Sequence, residues 1–281
     1  MRYHKKKGGL NMIGAIIGDI AGSVYEFNSI KTKEFPLFGD YRGEKCRFTD
    51  DSAMTLAAAA ALLEAADGGD PADCAVRWMQ RIGQRYPDAG YGGTFIRWLF
   101  AGKPAPYNSY GNGAAMRVSP AAWAAGSLEE ALALSDAVTA VTHDHPEGLK
   151  GARAVTACVY LARTGADRAA IRDHVRQHYY PLRKTLAEIR PGCRFDVTCQ
   201  GSVPEAIQAF LEAESFEDAI RNAVSLGGDC DTQAAIAGSI AGPCFGIPEV
   251  LRQQALGFLP EDLKEILFSF EARFGANKPA E

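Results

Sequence analysis

The sequence predicts an all-α fold. Apolar residues recur with helical spacing almost everywhere from residue 12 onward, and segments of alternating β-branched residues are absent. No stretch rich in proline, glycine or serine divides the chain. We therefore expect residues 12–281 to form a single helical domain.

Thirteen segments are predicted to be helical, and several begin with a start signal. Asp70 precedes a proline, which is typical of an N-cap followed by the first helical position. Ser127 with Glu130, and Ser202 with Glu205, have the spacing of a capping box. The predicted helices cover residues 12–27, 51–66, 71–86, 93–101, 114–125, 128–141, 148–164, 167–187, 203–213, 216–226, 231–241, 248–256 and 260–272.

The composition excludes several classes of protein. The chain has 281 residues, of which 47% are hydrophobic, and a formal net charge of -4, which argues against disorder. A pI of about 5.8 provides no basic footprint for nucleic acid. No apolar run approaches the ~18 residues that a membrane-spanning helix needs. We expect neither nucleic acid nor membrane as a partner.

The termini and the cysteines indicate a cytoplasmic protein. Residues 1–11 carry three lysines and are interpreted as a disordered basic tail. The apolar run that follows contains Asp19, which makes it a poor signal peptide. The seven cysteines show no C-x-x-C spacing, so buried, reduced thiols are expected rather than a zinc site or a disulfide framework.

Two acidic clusters each stand directly before an apolar helix. Acids at a helix start are ordinary caps, but two carboxylates and a hydroxyl within one turn exceed what capping needs. All these groups are hard oxygen donors, which suit Mg²⁺ or Mn²⁺ better than zinc. If the clusters converge, cations should offset their mutual repulsion. The clusters are Thr49, Asp50 and Asp51, and Asp229, Asp231 and Thr232.

Three further segments combine small residues with chemistry-bearing ones. Gly18 and Gly22 would allow another backbone to approach one face of the first helix, and Asp19 and Glu26 would share a face two turns apart. Residues 108–117 have the glycines and small residues of an anion-binding loop, followed by a helix start. Residues 142–148 contain an H-x-H pair, which can bind a metal, although no cysteine or third histidine is near. His143 is otherwise a ligand contact or a structural histidine.

Six motifs in this order resemble the ADP-ribosylglycohydrolase family. The resemblance extends from about residue 12 to about residue 248, nearly the whole chain. Each motif alone is weak, but the ordered set is specific. Cys230 departs from the pattern, because serine is more usual between the two acids. The motifs are GAIIGDIAGSVYE, FTDDS, GYGGT, SYGNGAAMR, THDHPEG and GGDCDT.

The resemblance implies a compact helical bundle with a central cleft that holds two divalent cations, Mg²⁺ or Mn²⁺. It implies Glu26, Asp50 and Asp229 as catalytic residues. The implied metal ligands are Thr49, Asp50, Asp51, Asp229, Asp231 and Thr232. The implied substrate contacts are Gly92, Ser109, Tyr110, Gly111, Asn112 and His143.

The resemblance also implies the reaction, which is cleavage at C1″ of the distal ribose of an ADP-ribosylated side chain. Arginine-linked ADP-ribose is slightly favoured as the substrate, and serine-linked or O-acetyl-ADP-ribose is the alternative. A protein that acts by binding rather than catalysis is also open, either one that binds ADP-ribose or an immunity protein that blocks a toxin through the basic N-terminal tail. A Mg²⁺-dependent phosphate-ester hydrolase is open as well. An ADP-ribosylated protein or ADP-ribose derivative is the expected partner, and the expected oligomeric state is a monomer.

Overall fold

A computed structural model describes residues 12–275, and the predicted basic tail lies outside them. These residues form fifteen helices, and the bridges among them are isolated pairs rather than strands of a sheet. The prediction of an all-α fold is confirmed. The helices are α1 (Gly14–Gly22), α2 (Asp50–Ala66), α3 (Pro71–Arg85), α4 (Gly93–Leu99), α5 (Gly113–Met116), α6 (Ser119–Ala124), α7 (Leu128–Ala140), α8 (Pro146–Arg163), α9 (Arg168–His178), α10 (Leu186–Ile189), α11 (Cys199–Leu211), α12 (Phe216–Val224), α13 (Cys230–Phe245), α14 (Glu249–Leu256) and α15 (Glu261–Phe274).

Helices α1 and α13 pack against each other at the centre of the core. Every residue of α1 is buried, and so is α13 from Cys230 to Gly242. A Cβ at Gly18 would overlap the carbonyl of Ala234, and one at Gly22 would overlap the backbone of Asp231. The predicted close approach at these two glycines is confirmed. It brings the start of α13 next to the end of α1.

Two of the predicted helix starts are confirmed. The Asp70 carboxylate accepts hydrogen bonds from two amides of the first turn of α3, both at 3.0 Å. The Ser127 hydroxyl accepts one from the amide of Glu130 at 3.1 Å. The carboxylate of Glu130 instead accepts from the amide of Gly126, one residue earlier than a capping box requires.

The first predicted helix is shorter than expected. It was predicted over residues 12–27, but α1 ends at Gly22. The hydroxyl of Ser23 donates to the Ile20 carbonyl at 2.8 Å, and the chain then turns. The prediction that Asp19 and Glu26 share a helical face is therefore wrong, because Glu26 lies beyond the helix.

Proline breaks two other predicted helices. The helix predicted over 114–125 is divided into α5 and α6, because Pro120 has no amide hydrogen for the Met116 carbonyl. The hydroxyl of Thr55 donates to that carbonyl instead, at 3.3 Å. The helix predicted over 167–187 ends at His178, shortly before Pro181, and α10 follows as a separate turn.

The predicted capping box at Ser202 is wrong. Helix α11 begins at Cys199, and the Thr198 hydroxyl accepts the capping hydrogen bond from Gly201 at 3.1 Å. Ser202 is buried inside the helix and donates to the Asp196 carbonyl. The predicted start is one turn too late because a proline usually indicates the first turn of a helix, whereas Pro204 lies five residues after Cys199, inside α11.

Candidate active site

A cavity of about 650 Å³ collects the predicted site residues. It lies at the N-terminal ends of α2 and α13 and extends to the loops before α5 and α8. Thr49 lies directly behind its wall and contacts Asp51. The predicted residues that line it are Glu26, Asp50, Asp51, Gly92, Ser109, Tyr110, Gly111, Asn112, His143, Asp229, Asp231 and Thr232.

The start of α2 forms one wall of the cavity. Thr49 is the N-cap, and its hydroxyl accepts a hydrogen bond from the amide of Asp51 at 3.3 Å. Asp50 and Asp51 occupy the first turn, where the positive end of the helix dipole favours carboxylates. The amide of Asp50 donates to the Ala89 carbonyl at 2.9 Å, which fixes this turn to the loop before α4.

Asp19 supports this wall from behind, a role that the sequence analysis missed. Its buried carboxylate accepts hydrogen bonds from the amide and hydroxyl of Thr49, at 2.9 and 2.6 Å, and from the amide and hydroxyl of Ser52. Burial raises the pKa of Asp19, and these hydrogen bonds oppose the rise. Because the Thr49 hydroxyl donates to Asp19 and accepts from the amide of Asp51, one lone pair of its oxygen remains available. In the sequence, the one indication of a special role for Asp19 is that it is an acid within an apolar run.

The start of α13 forms the opposite wall. Asp229 precedes the helix, and its Oδ2 accepts a hydrogen bond from Asn112 Nδ2 at 2.7 Å. The Thr232 hydroxyl donates to Asp51 Oδ2 at 3.3 Å and thus joins the two walls. The predicted convergence of the two acidic clusters is confirmed.

Burial and mutual repulsion raise the pKa values of the carboxylates at this end of the cavity. Desolvation, followed by repulsion from Asp231, raises the pKa of Asp51 well above its ordinary value. The same two causes raise the pKa of Glu26 to about 8. Desolvation raises the pKa of Asp229 to about 6, although its hydrogen bonds lower it. The cluster needs a positive counter-charge to ionise fully.

The donor set fits two divalent cations. Carboxylate oxygens of Asp19, Asp51 and Asp231 lie within 4.8 Å of one another, and so do those of Glu26, Asp229 and Asp231. Asp231 belongs to both groups. Asp51 Oδ1 is buried and has no hydrogen-bond partner among residues 12–275, which leaves a full acceptor for a cation. Only oxygen donors are present, as Mg²⁺ and Mn²⁺ prefer.

Neither Asp19 nor Cys230 is a good ligand. The four hydrogen bonds to Asp19 already occupy both of its oxygens, so Asp19 orients Thr49 rather than binding an ion. The thiol of Cys230 lies against the carbonyls of Val224 and Gly228 on the buried side of α13. All seven cysteines are free, and six of them are buried, as predicted.

The other end of the cavity has a different chemistry, centred on Arg117. This guanidinium is 1% exposed and donates to the Thr142 hydroxyl at 2.6 Å. It also lies 3.3 Å from His143 Nδ1 and over the ring of Phe95. Because arginine can only donate, Nδ1 of His143 accepts, and the proton of the imidazole is on Nε2. The sequence analysis did not identify Arg117 as a site residue.

His143 is consequently a neutral hydrogen-bond donor. Burial and the charge of Arg117 lower its pKa well below the ordinary value. Its Nε2 lies beside residues 108–113, which we call the glycine loop. A Cβ at Gly113 would be 3.3 Å from this nitrogen. His145 does not join it at a metal, because its Nδ1 accepts from the amide of Glu147 and caps α8.

The glycine loop is held by backbone hydrogen bonds. The amide of Asn112 donates to the Val197 carbonyl at 2.7 Å, and the amide of Cys199 donates to the Tyr110 carbonyl at 2.9 Å. Tyr110 is 47% exposed and presents an open aromatic face. The expected helix start behind the loop is only the four-residue α5, so its dipole contributes little there.

The comparisons with known proteins agree with this geometry. A family model described as ADP-ribosylglycohydrolase matches residues 9–277. The chain belongs to the ADP-ribosylglycohydrolase family. Membership of this family makes the chain a glycohydrolase.

Curated relatives cover most of the chain. It is 28% identical to the ADP-ribosylhydrolase ARH3 of Mus musculus, over 90% of this chain and 88% of that protein. It is 27% identical to the ADP-ribosylarginine hydrolase Tri1 of Pseudomonas putida, over 92% and 73%. It is also 27% identical to the ADP-ribosyl-[dinitrogen reductase] glycohydrolase of Rhodospirillum rubrum, over 85% of each chain.

The fold of the ADP-ribosylglycohydrolase family is also seen in a solved structure. An "ADP-ribosylglycohydrolase-related protein complex" superposes with a TM-score of 0.70 at 24% identity, over 95% of this chain and 98% of that chain. This likeness concerns the fold. None of the helices within residues 12–275 has the length and apolarity that crossing a membrane requires.

Proposed function

We propose that the protein is a metal-dependent hydrolase that removes ADP-ribose from modified side chains by cleavage at C1″ of the distal ribose. Arginine-linked ADP-ribose is the first candidate substrate, because two relatives carry names of arginine or dinitrogen-reductase hydrolases. Serine-linked ADP-ribose is the second. The observation that carries the proposal is the Thr232–Asp51 contact, which joins two oxygen-only clusters around the unpartnered Asp51 Oδ1.

The proposed ligands of the two cations come from both walls. When bound, the cations would neutralise the carboxylates, hold the 2″ and 3″ hydroxyls of the distal ribose and lower the pKa of a coordinated water. Asp19 has the role of holding Thr49 in place through hydrogen bonds to its amide and hydroxyl. The ligands are Thr49, Asp50 and Asp51 from the first cluster, and Asp229, Asp231 and Thr232 from the second.

The proposed catalytic groups are Glu26, Asp50 and Asp229. Glu26 is half-buried beside Asp231, and we assign it the role of proton donor to the leaving group. The carboxylates of Asp50 and Asp229 lie where they can stabilise positive charge on the ribose in an oxocarbenium-like transition state. Asn112 holds Asp229 in position through a 2.7 Å hydrogen bond.

The other end of the cavity is proposed to bind the diphosphate and adenosine. A volume of about 650 Å³ falls in the range of ~300–1,000 Å³ that is usual for small-molecule sites. Neutral His143 offers its Nε2–H, and Arg117 adds positive potential for phosphate oxygens. The loop contacts are Gly92, Ser109, Tyr110, Gly111 and Asn112.

The direct test is hydrolysis of defined substrates. The protein is incubated with Mg²⁺ and with peptides that carry ADP-ribose on arginine or on serine, and free ADP-ribose is measured by mass spectrometry. Release from the arginine peptide, abolished by EDTA and restored by Mg²⁺ or Mn²⁺, is the expected result. Release from the serine peptide alone would identify serine, rather than arginine, as the side chain from which ADP-ribose is removed. Binding of ADP-ribose without release from either peptide would contradict hydrolysis.

A further inference from the structure

Exposed apolar side chains concentrate around the cleft. The described residues include seven large hydrophobic side chains that are exposed, and four of these line the main cavity or a smaller one beside it. Phe27 is 78% exposed, Val197 51%, and Tyr110 and Phe195 47% each. Apolar surface collected at one place usually marks an interaction site.

The smaller cavity, of about 370 Å³, adjoins the main one. Glu26 and Phe195 line both cavities. The ring of Phe27 contacts that of Phe195, with centroids 5.7 Å apart. Lys31 and Arg194 also line the smaller cavity, and neither has a carboxylate ion-pair partner within residues 12–275. The surface combines two aromatic rings with two cations.

The two sides of this surface are tied together. The ammonium of Lys31 donates to the carbonyl of Cys193 at 2.9 Å and to that of Leu226. Lys31 and Phe27 lie on one segment, and Cys193 and Phe195 lie on the other. These hydrogen bonds join the segment that carries Phe27 to the segment that carries Phe195, and two segments that are joined before binding lose less entropy when a ligand binds.

We propose that Phe27, Phe195 and the smaller cavity bind the polypeptide that carries the ADP-ribosyl group. This inference rests on the proposed function. ADP-ribose would occupy the main cavity with C1″ near Glu26, so whatever is attached to C1″ leaves past Glu26 toward the smaller cavity. An acetyl group is too small to contact both rings. The substrate class is thus an ADP-ribosylated polypeptide with an apolar residue beside the modified one and acidic residues beyond it.

The test compares a large acceptor with a small one. For Phe27→Ala, which alters the smaller cavity and not the main one, kcat/KM is measured on an ADP-ribosylated peptide with leucine and glutamate flanks, and on O-acetyl-ADP-ribose. We expect kcat/KM for the peptide to fall about tenfold through KM, as for loss of an aromatic interface contact. The value for O-acetyl-ADP-ribose should stay within about twofold. Phe268→Ala, which removes a 44% exposed ring that lines neither cavity, is the matched control.

The outcomes separate this inference from the proposed function. Hydrolysis of both substrates by Phe27→Ala, with the ratio of the two kcat/KM values unchanged from wild type, would overturn the inference alone. Absence of hydrolysis of every substrate by the unaltered protein would overturn the proposed function and the inference with it.

A second experiment tests the charge of this surface by comparing kcat/KM for peptides with glutamate flanks and peptides with lysine flanks. We expect the wild type to prefer glutamate flanks and Arg194→Gln to lose that preference. An unchanged preference would contradict the charge assignment.

Discussion

The two ends of the cleft are built in opposite ways. At one end, helix N-termini present crowded carboxylates, and Asp51 Oδ1 has no partner. At the other end, loops surround a buried guanidinium, Arg117, and a neutral imidazole, His143. The acid end carries a surplus of carboxylates, whereas the other end offers hydrogen-bond donors. In the function that we propose, this difference orients the substrate, with the distal ribose at the acid end and the diphosphate toward the donors.

Removing a shared carboxylate should have the largest effect. Asp231 belongs to both groups of converging oxygens. We expect Asp231→Asn to reduce kcat by more than the ~10–100-fold that loss of an outer-sphere partner costs, because a ligand itself is lost. Mass spectrometry of released ADP-ribose measures the rate. Asp173→Asn, at a 70% exposed aspartate, is the control, and equal rates in both variants would refute the acid end as the metal site.

Disturbing the donor end should have a smaller effect. Arg117→Met keeps side-chain volume but removes the donors to Thr142 and His143. We expect ADP-ribose to bind about tenfold more weakly, since a charged donor contributes ~1.5–3 kcal/mol. Calorimetry measures the affinity, and imidazole ¹⁵N shifts should report loss of the Nε2–H tautomer of His143. Wild-type affinity together with an unchanged tautomer would contradict the role of Arg117, and Arg183→Met at the surface is the control.

The smallest effect concerns stability without metal. The pKa of Glu26 is about 8 in the folded protein, above its ordinary value, so the folded state binds this proton more tightly than the unfolded state. The stability of the metal-free protein should therefore fall as pH rises from about 4 to about 8, and then level off.

The matched variant Glu26→Gln isolates this contribution, because glutamine has no proton to lose. In EDTA, the Tm of Glu26→Gln should exceed that of wild type by a few degrees more at about pH 8.5 than at about pH 5.5. Saturating Mg²⁺ should reduce the difference. The same difference in Tm at both pH values would show that the pKa of Glu26 is not raised in the folded protein.

The sequence predicts the acid end of the cleft better than the end that contains Arg117. The acid end consists of short contiguous motifs at helix starts, so Asp50, Asp51, Asp229 and Asp231 could be read directly. The role of Asp19 depends on α1 packing beside Thr49, thirty residues away in the chain. The role of Arg117 depends on its contact with His143, twenty-six residues away. Such tertiary contacts leave no local pattern.

The helix boundaries show the same limit. Periodicity identified the long helices, but Pro120 and Pro181 divide segments whose apolar spacing continues through them. The periodicity also extends the first predicted helix to residue 27, and this is why Glu26 was predicted to lie on it. Its position beyond the helix end brings it over Asp231, where a continued helix would have carried it elsewhere.

The most direct test of the acid end as a binuclear centre is a crystal soaked with Mn²⁺ and ADP-ribose, with data collected at the manganese absorption edge. Two anomalous peaks between the starts of α2 and α13 are expected, with Asp231 between them and the distal ribose hydroxyls beside them. A single peak elsewhere, or a fully bound ADP-ribose with no anomalous peak among these carboxylates, would contradict the account.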